Sequence, residues 1–578
     1  MNGRARHLVA AVTGLGLGLA ALGPGLAPGF VLSYDMVFVP DPAFTALTFG
    51  TTGIVPRHVP SDAFVTALAS VVPADAVQKL LLLAIFVMAC TSAASLVPTA
   101  RLLPRLAAGV CYAWNPFVAE RLLLGQWALL LGYAALPWVV AAAAGLDGRG
   151  GGRRLVRALL PAAIGGFAAL AVSALTALAV AVVSAGSGDR AGVRARARAA
   201  ARAAAAAGVL SLPWLVPGLL RPAGVPGDET AVGLFAARAD TPFGTLGSLL
   251  LLGGVWNGET VPDGYGAPLT ASLWLAVVLA ALAGYGKWCR GEVRWRRGLA
   301  AAAAAGFAVA ALGAVAAPVL EGMIRLWAGF AVLRDGQQYV APLAVLVAVG
   351  LGSAADRAAE ARLPGVPVAA VAAPVILLPT LAWGAAGDLR SVRYPDDWAR
   401  ARRIVHGDPA GGDVLVLPWE AHRSYPWNRG RRVLEPLPRY LHGRRVVVND
   451  AVTVGDVTVP PEDPRAVRLA AAARTGSPSV ATLREEGIRY VVVDAEIGSQ
   501  RPSGPAVEVM RGRDLAVYRI DGASRPAGDG VPAAPVIAAW AVVSLAVFWS
   551  FTVPGTNLSI PLLGSIKPRS SPHRRRTP

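Results

Sequence analysis

Apolar runs alternate with short polar, arginine-rich segments along most of the chain, and this alternation sets the expected architecture. The runs at 7–26, 79–97, 127–146, 203–220, 269–286, 299–317, 339–355, 366–383 and 533–553 approach or exceed the roughly 20 apolar residues that a helix needs to cross about 30 Å of hydrocarbon. A shorter apolar run at 106–117 reads as a further helix. The run at 158–184 is flanked by Arg149, Arg153, Arg154 and Arg157 on one side and by Arg190, Arg194, Arg196, Arg198 and Arg202 on the other. One crossing would put one of these clusters on the wrong face, so the pattern predicts two short helices that turn near 173–176. Such an interruption survives in a membrane only inside protein or against a polar cavity. With this run taken as a pair, the chain is a polytopic α-helical membrane protein of about 12 spans by the helix-length rule.

The basic clusters fix the orientation. Arg4 and Arg6 precede the first run, which reads as an uncleaved signal anchor with its N-terminus inside. Basic residues at 101–105, 149–157, 190–202, 287–297, 357–362 and 567–576 then fall on one side throughout, which puts both termini in the cytoplasm of a plasma-membrane protein. The segment at 61–72 is amphipathic and is expected to lie along the outer interface.

From 386 to 532 the pattern changes. Short β-branched runs at 413–418, 445–448, 489–493 and 515–518 read as strands, and 396–405, 464–474 and 479–486 read as helices. The expected organisation is a transmembrane helical domain at 1–385, an extracytoplasmic α/β domain at 386–532, and a final helix with a basic cytoplasmic tail at 533–578. The α/β segment is long enough to bury its own core.

Composition changes this picture little. The chain has 578 residues, 54% of them hydrophobic, and its 54 Lys and Arg against 36 Asp and Glu give a net charge of +18. Because the surplus sits in short loops between apolar runs, it points to a lipid bilayer and not to nucleic acid. Cys90 and Cys111 lie in apolar helices and Cys289 in an inner basic loop, so no disulfide framework is expected. The six histidines show no metal-ligand spacing. No metal and no cofactor is expected. Asn557-Leu558-Ser559 matches the glycosylation triplet but falls on the inner side.

Chemistry is then confined to the outer loops. Asp35 follows the first helix, and Asp41 stands six residues on between Pro40 and Pro42. A carboxylate at a helix exit, close to where a lipid phosphate sits, is placed to act as a general base; the plain alternative is a solvated acid. The loop from Trp114 through Asn115, Pro116, Glu120, Arg121 and Gln126 to Trp127 crowds polar groups at the interface, as a diphosphate or sugar pocket requires; its aromatics also serve as interfacial anchors. Arg334 suits a forked contact to a lipid phosphate, or a local pair with Asp335. The segment from Thr241 to Gly258 reads as a re-entrant lid or as a simple loop, and Arg57 and His58 read as surface residues. In the α/β segment, Trp419 with Glu420, and Tyr425 with Trp427, offer aromatic faces for sugars or packing that seats the domain on the helices.

In outline the whole chain resembles the GT-C superfamily of polyprenyl-phosphate-dependent glycosyltransferases. Tyr34-Asp35 occupies the acidic position of the first outer loop, while Asn115-Pro116-Phe117, Glu120-Arg121, Gly125-Gln126-Trp127 and the strand from Gly487 to Val493 are similar to segments of the arabinofuranosyltransferase-like group of actinobacteria. Two departures stand out: five residues separate Asp35 from Asp41, and no proline follows Arg334. The resemblance implies a GT-C-like fold and an inverting transfer from a polyprenyl-phosphate sugar donor to a cell-envelope glycan or glycolipid acceptor. Asp35 would be the base, with Asp41 and Glu120 as supporting groups, Arg121 and Arg334 on the phosphate, and Gln126 and Trp419 in the substrate pocket. Two other readings remain open at this stage: a non-catalytic scaffold, and an envelope-precursor transporter that uses the interrupted run at midplane.

Overall fold

The structure is a computed structural model that describes residues 3–186, 190–224, 227, 229, 231–289, 293–454, 457–495, 500–523 and 530–552. The basic tail at 567–576 and the triplet Asn557-Leu558-Ser559 lie outside the described residues.

The chain is a multi-pass membrane-embedded helical protein with a C-terminal α/β domain. Among the described residues, nine helices are long and apolar enough to cross a bilayer: Gly3–Leu26, Ala74–Leu96, Trp127–Ala144, Phe167–Ser184, Ala191–Leu219, Pro268–Trp288, Arg296–Val315, Gly336–Glu360 and Ala533–Phe551. A tenth is the pair Gly365–Leu377 and Pro379–Ala385, bent by 63°. Every apolar run read from the sequence is therefore a helix, but Leu102–Ala113 and Gly151–Gly165, with 12 and 15 residues, fall short of a full crossing.

The run at 158–184 is interrupted, though not where the hydroxyls suggest. Gly166 has φ +83°, a left-handed conformation that suits glycine, and it separates Gly151–Gly165 from Phe167–Ser184. Ser173 and Thr176 lie inside an unbroken helix, where the Thr176 hydroxyl donates to the Val172 carbonyl at 2.9 Å. A hydroxyl that bonds back by one turn leaves the helix intact, whereas a glycine with positive φ ends it.

Small residues set how closely the helices approach. A Cβ on Gly350 would lie 2.0 Å from the Ala281 carbonyl oxygen, and one on Gly284 would lie 2.3 Å from that of Gly350. Pro268–Trp288 and Gly336–Glu360 thus meet backbone to backbone, the usual solution where lipid removes the hydrophobic drive for helix association.

The α/β domain is built on a five-stranded sheet in the order Val507–Arg511, Leu515–Arg519, Ile488–Asp494, Asp413–Leu417, Val446–Val447. The first two pairings are antiparallel and the last two parallel. Side chains alternate across the sheet with period two. Leu415, Leu417, Val491 and Val493 pack against Leu469 and Leu483 of the crossover helices, while Val414, Val416 and Val492 face Trp398 and join the core that runs into the membrane helices. The edge strand Val507–Arg511 was not read from the sequence; Glu508 and Arg511 break its apolar alternation, as suits an edge.

The backbone contact at Gly350 carries a test. Replacing Gly350 with Ala forces the two helices apart, and overpacking of this kind typically costs about 1–3 kcal/mol. The variant is expected to unfold at lower temperature than wild type in a thermal melt of detergent-solubilised protein, and an unchanged midpoint would contradict the contact.

Candidate active site

The segment that bears Asp35 is extended and held on three sides. On the first, the N-terminal turns of Ala74–Leu96 satisfy its backbone. Asp75 accepts from the Gly29 N–H at 3.1 Å, the Gln78 side chain accepts from and donates to the Val31 backbone at 2.9 and 2.7 Å, and the Lys79 ammonium donates to the Gly29 carbonyl. On the second, Phe30–Val31 pairs antiparallel with Ser391–Val392 at the start of the α/β domain. The third contact is the β-hairpin His422–Ser424/Arg432–Leu434. The Tyr34 N–H donates to the Arg432 carbonyl at 2.7 Å, and the Tyr34 carbonyl accepts from the Leu434 N–H at 2.8 Å.

These bonds hold Tyr34 at φ +44°, a left-handed conformation that costs a non-glycine residue roughly 1–2 kcal/mol. The Tyr34 hydroxyl donates to Glu259. Behind the turn, Gly125 sits so close that a Cβ would lie 2.1 Å from the Ser33 carbonyl oxygen and 2.4 Å from the Met36 nitrogen. The Ser33 hydroxyl donates to the Leu123 carbonyl at 2.6 Å and the Asp35 N–H to that of Leu124 at 3.2 Å. Arg431 closes the joint, donating to the Ser33 hydroxyl at 3.0 Å and the Leu123 carbonyl at 3.2 Å while pairing with Asp388 at 3.1 Å.

The outcome is an exposed Asp35 side chain in the wall of a cavity of 1460 Å³ between the helical domain and the α/β domain. Gln126, Arg334 and Trp419 line the same cavity. The Gln126 amide donates toward Asp35 at 3.4 Å, and its carbonyl oxygen accepts from Arg121 at 2.9 Å, which fixes which way the amide points. Arg121 also lies 3.8 Å from Asp335, yet its side chain is only 1% exposed. It therefore supports Gln126 and Asp335 from behind the wall and does not itself reach a phosphate in the cavity. Burial pushes the Asp335 carboxyl above its usual range, Arg121 opposes this and the nearby Asp35 adds to it.

Two residues of the expected set are elsewhere. Asp41 does not line the cavity; it is drawn into an ion pair with Arg402 of the helix Asp396–Gly407 at 2.6 Å. Glu120 is 1% exposed and faces Asp240. Its carboxyl is raised well above the usual range by burial first and the Asp240 carboxylate second. The two acids thus stand together beneath Gly253, and neither is part of the pocket lining.

The cavity has two characters. Leu129, Phe167 and Ala168, near the helix break, and Phe235, Ala331 and Val332 give it apolar lining. Asp35, Arg57, Arg238, Arg334, His422 and Arg432 give it polar lining. Arg334 donates to the Ala331 carbonyl at 3.2 Å, and its guanidinium lies 5.9 Å from the Phe235 ring centre. Trp256, which packs edge-on against Phe235 at 5.1 Å, and Asn257 place the 241–258 segment in the wall. Trp419 is buried with the α/β core, and Tyr425 and Trp427 belong to an aromatic cluster with Trp398 and Tyr394, so packing accounts for that pair. Arg57, read as a surface residue, is exposed and also pairs with Glu462 of the α/β domain at 2.7 Å. Arg238, His422 and Arg432 were not singled out because nothing local marks them; only the packing of distant segments brings them into the cavity that Asp35 lines.

No protein-family model and no curated protein matches the chain. Among solved structures it is similar to the oligosaccharyltransferase AglB of Archaeoglobus fulgidus in complex with an inhibitory peptide and a dolichol-phosphate, with 13% identity over 85% of this chain and 69% of that one, and a TM-score of 0.41. It is also similar to the A. fulgidus oligosaccharyltransferase tethered to an acceptor peptide, with 11% identity, the same coverages and a TM-score of 0.43. ArnT of Cupriavidus metallidurans matches at 12% identity over 90% of this chain and 99% of that one, with a TM-score of 0.43.

Two measurements check the site's construction. Gly125→Ala drives a methyl into the Ser33–Met36 turn and is expected to lower the thermal midpoint and expose Gln126 to faster proteolysis; wild-type behaviour would contradict the close approach. Asp450, also in the cavity wall, accepts from the Glu462 and Asp463 N–H groups at 3.0 and 2.9 Å, and burial, then the Asp463 charge, push its carboxyl up to about 6. Its folded value exceeds its unfolded one, so its contribution favours folding below the unfolded range and is lost as pH rises through about 6. The thermal midpoint of Asp450→Asn relative to wild type is expected to rise between pH 4 and 7; a constant difference would contradict this.

Proposed function

We propose that this protein is a GT-C-like glycosyltransferase that moves a sugar from a polyprenyl-phosphate donor to a cell-envelope glycan or glycolipid. The observation that carries this reading is the Asp35 carboxylate, exposed and without an ion pair among the described residues, in one cavity with Arg334 and an apolar wall. Such a cavity suits a ligand with a polar phosphosugar head and a hydrocarbon tail.

In the proposed reaction Asp35 takes the proton of an acceptor hydroxyl as its oxygen attacks the anomeric carbon. The bond from that carbon to the phosphate oxygen breaks on the opposite face, which inverts the centre. Arg334 and Arg238 hold the phosphate as it gains charge, and this stabilisation supplies much of the acceleration. Gln126, oriented by Arg121, steadies the carboxylate. Trp419 offers an aromatic edge to the acceptor. Asp41 and Glu120 have structural parts in this scheme, and no metal or cofactor enters it.

The topology that goes with this reading puts the α/β domain, 386–532, and Asp35 outside an actinobacterial plasma membrane. The helical domain, 1–385, and the last helix with its tail, 533–578, leave both termini in the cytoplasm. The scaffold and transporter readings need neither an unpaired carboxylate nor arginines around it.

Membranes carrying the protein are to be supplied with polyprenyl-phosphate 14C-arabinose or 14C-mannose, and label in envelope glycan counted. Asp35→Asn is expected to slow transfer by about 100-fold or more, the usual weight of a general base, while inserting and melting like wild type. Arg334→Ala is expected to raise KM for the donor about tenfold, as loss of a charge-assisted contact does. Undiminished transfer by Asp35→Asn would remove the assignment.

A further inference from the structure

We propose that His422, carried by the α/β domain, is a positioning residue that acts through Asp35 and relays the proton this carboxylate takes from the acceptor, so that the domain completes the transfer centre. The inference rests on the transferase reading and adds to it a part supplied by a second domain.

His422 opens the first strand of the hairpin, directly opposite Leu434. Leu434 and Arg432 are the two residues whose backbone groups bond Tyr34 on either side, and a parallel bridge joins Tyr34 to Val433. The hairpin's second strand is therefore flanked by His422 on one side and by Tyr34, next to Asp35, on the other. The imidazole packs at a tilt against the Tyr34 ring, with centres 6.1 Å apart. Asp35 and His422 line the same cavity.

The charged groups around the imidazole come from four segments. Asp35 and Tyr34 belong to the N-terminal turn, Arg432 to the opposite strand and Glu420 to the turn before the hairpin. Glu259, from the 257–260 turn, holds the Tyr34 hydroxyl and lies 3.8 Å from Arg432. Burial keeps the imidazole below its ordinary range, the Asp35 carboxylate opposes this, and Arg432 adds to it. Burial thus favours the uncharged ring, whose nitrogen lone pair is open to a proton.

The balance is simple. The acceptor O–H breaks as its oxygen bonds the anomeric carbon, and the phosphate leaves with the electrons of its bond. The proton passes to Asp35, then to His422, and from the imidazolium to water in the cavity. Asp35 is thereby ionised again before the next acceptor binds. As pH falls through the His422 range the ring is already protonated and the relay closes, so the acidic limb of kcat belongs to this residue.

Two readouts test the proposal. In nanodiscs, histidine-ring NMR titrations are compared for wild type and Asp35→Asn, with His422 assigned by His422→Gln. Removing the carboxylate is expected to lower the His422 midpoint by about 0.5 pH unit or more, since an opposite charge nearby favours the protonated ring. In the transfer assay with the 14C donors, His422→Gln is expected to lose about 10- to 100-fold in kcat, within the range of acid–base assistance, with donor KM within about twofold and the acidic limb gone. Added imidazole is expected to restore part of kcat to His422→Ala, which a packing role would not allow. A His422 midpoint indifferent to Asp35→Asn, or a His422→Gln enzyme with wild-type kcat and pH profile, overturns the relay and leaves the transferase reading standing. A wild type that transfers from neither donor overturns that reading, and the relay with it.

Discussion

The structure depends on one close approach: two turns, 33–36 and 123–126, touching backbone to backbone where Gly125 has no side chain. That contact brings Gln126 beside Asp35 and places Arg121 behind both. It also creates a seat for Arg431, which bonds both turns and so pins the α/β domain to the place where the helical domain presents its carboxylate. The left-handed Tyr34 is the local cost, and the hairpin bonds on either side of it offset that cost.

The rest of the domain interface repeats the theme with charge. Arg57 pairs with Glu462, Arg402 with Asp41 and Arg439 with Asp62, each crossing between the segment at 41–62 and the α/β domain. Exposed pairs such as Arg402–Asp41 contribute little individually. The half-buried Arg439–Asp62 pair, at 2.8 Å, is better shielded and fixes the far side of the cavity. Arginines that a charge count assigns to membrane binding are thus divided between the loops that join the helices and this interface.

The sequence made the helices legible because their period and length are set by the bilayer, and it made the parallel strands legible because β-branched runs such as 489–493 are buried on both faces. It misplaced the break in 158–184 by trusting Ser173 and Thr176, which lie inside an unbroken helix where the Thr176 hydroxyl bonds back to Val172, over Gly166, whose positive φ no composition rule reveals. At the site, Asp35, Gln126 and Arg334 could be singled out because each stands in a polar segment between apolar runs. Asp41 was not distinguished from Asp35, since only the fold shows that Arg402 claims it. Glu120 and Arg121 looked like pocket groups because sequence reports polarity and not depth. His422 and Arg432 left no local signal, as their partner lies nearly four hundred residues away in the chain by the register that joins Tyr34 to Val433.

On the proposed function, the cavity takes an amphiphile whose phosphate would lie by Arg334 and Asp35 and whose chain would run along Leu129, Phe167 and Ala168, all of which line it. The most direct test is an electron cryomicroscopy map of the protein in nanodiscs with a polyprenyl phosphate. Phosphate density between Asp35 and Arg334, with the prenyl chain leaving past Phe167, is the result this arrangement requires. A lipid bound elsewhere, with the cavity empty of it, would contradict the assignment.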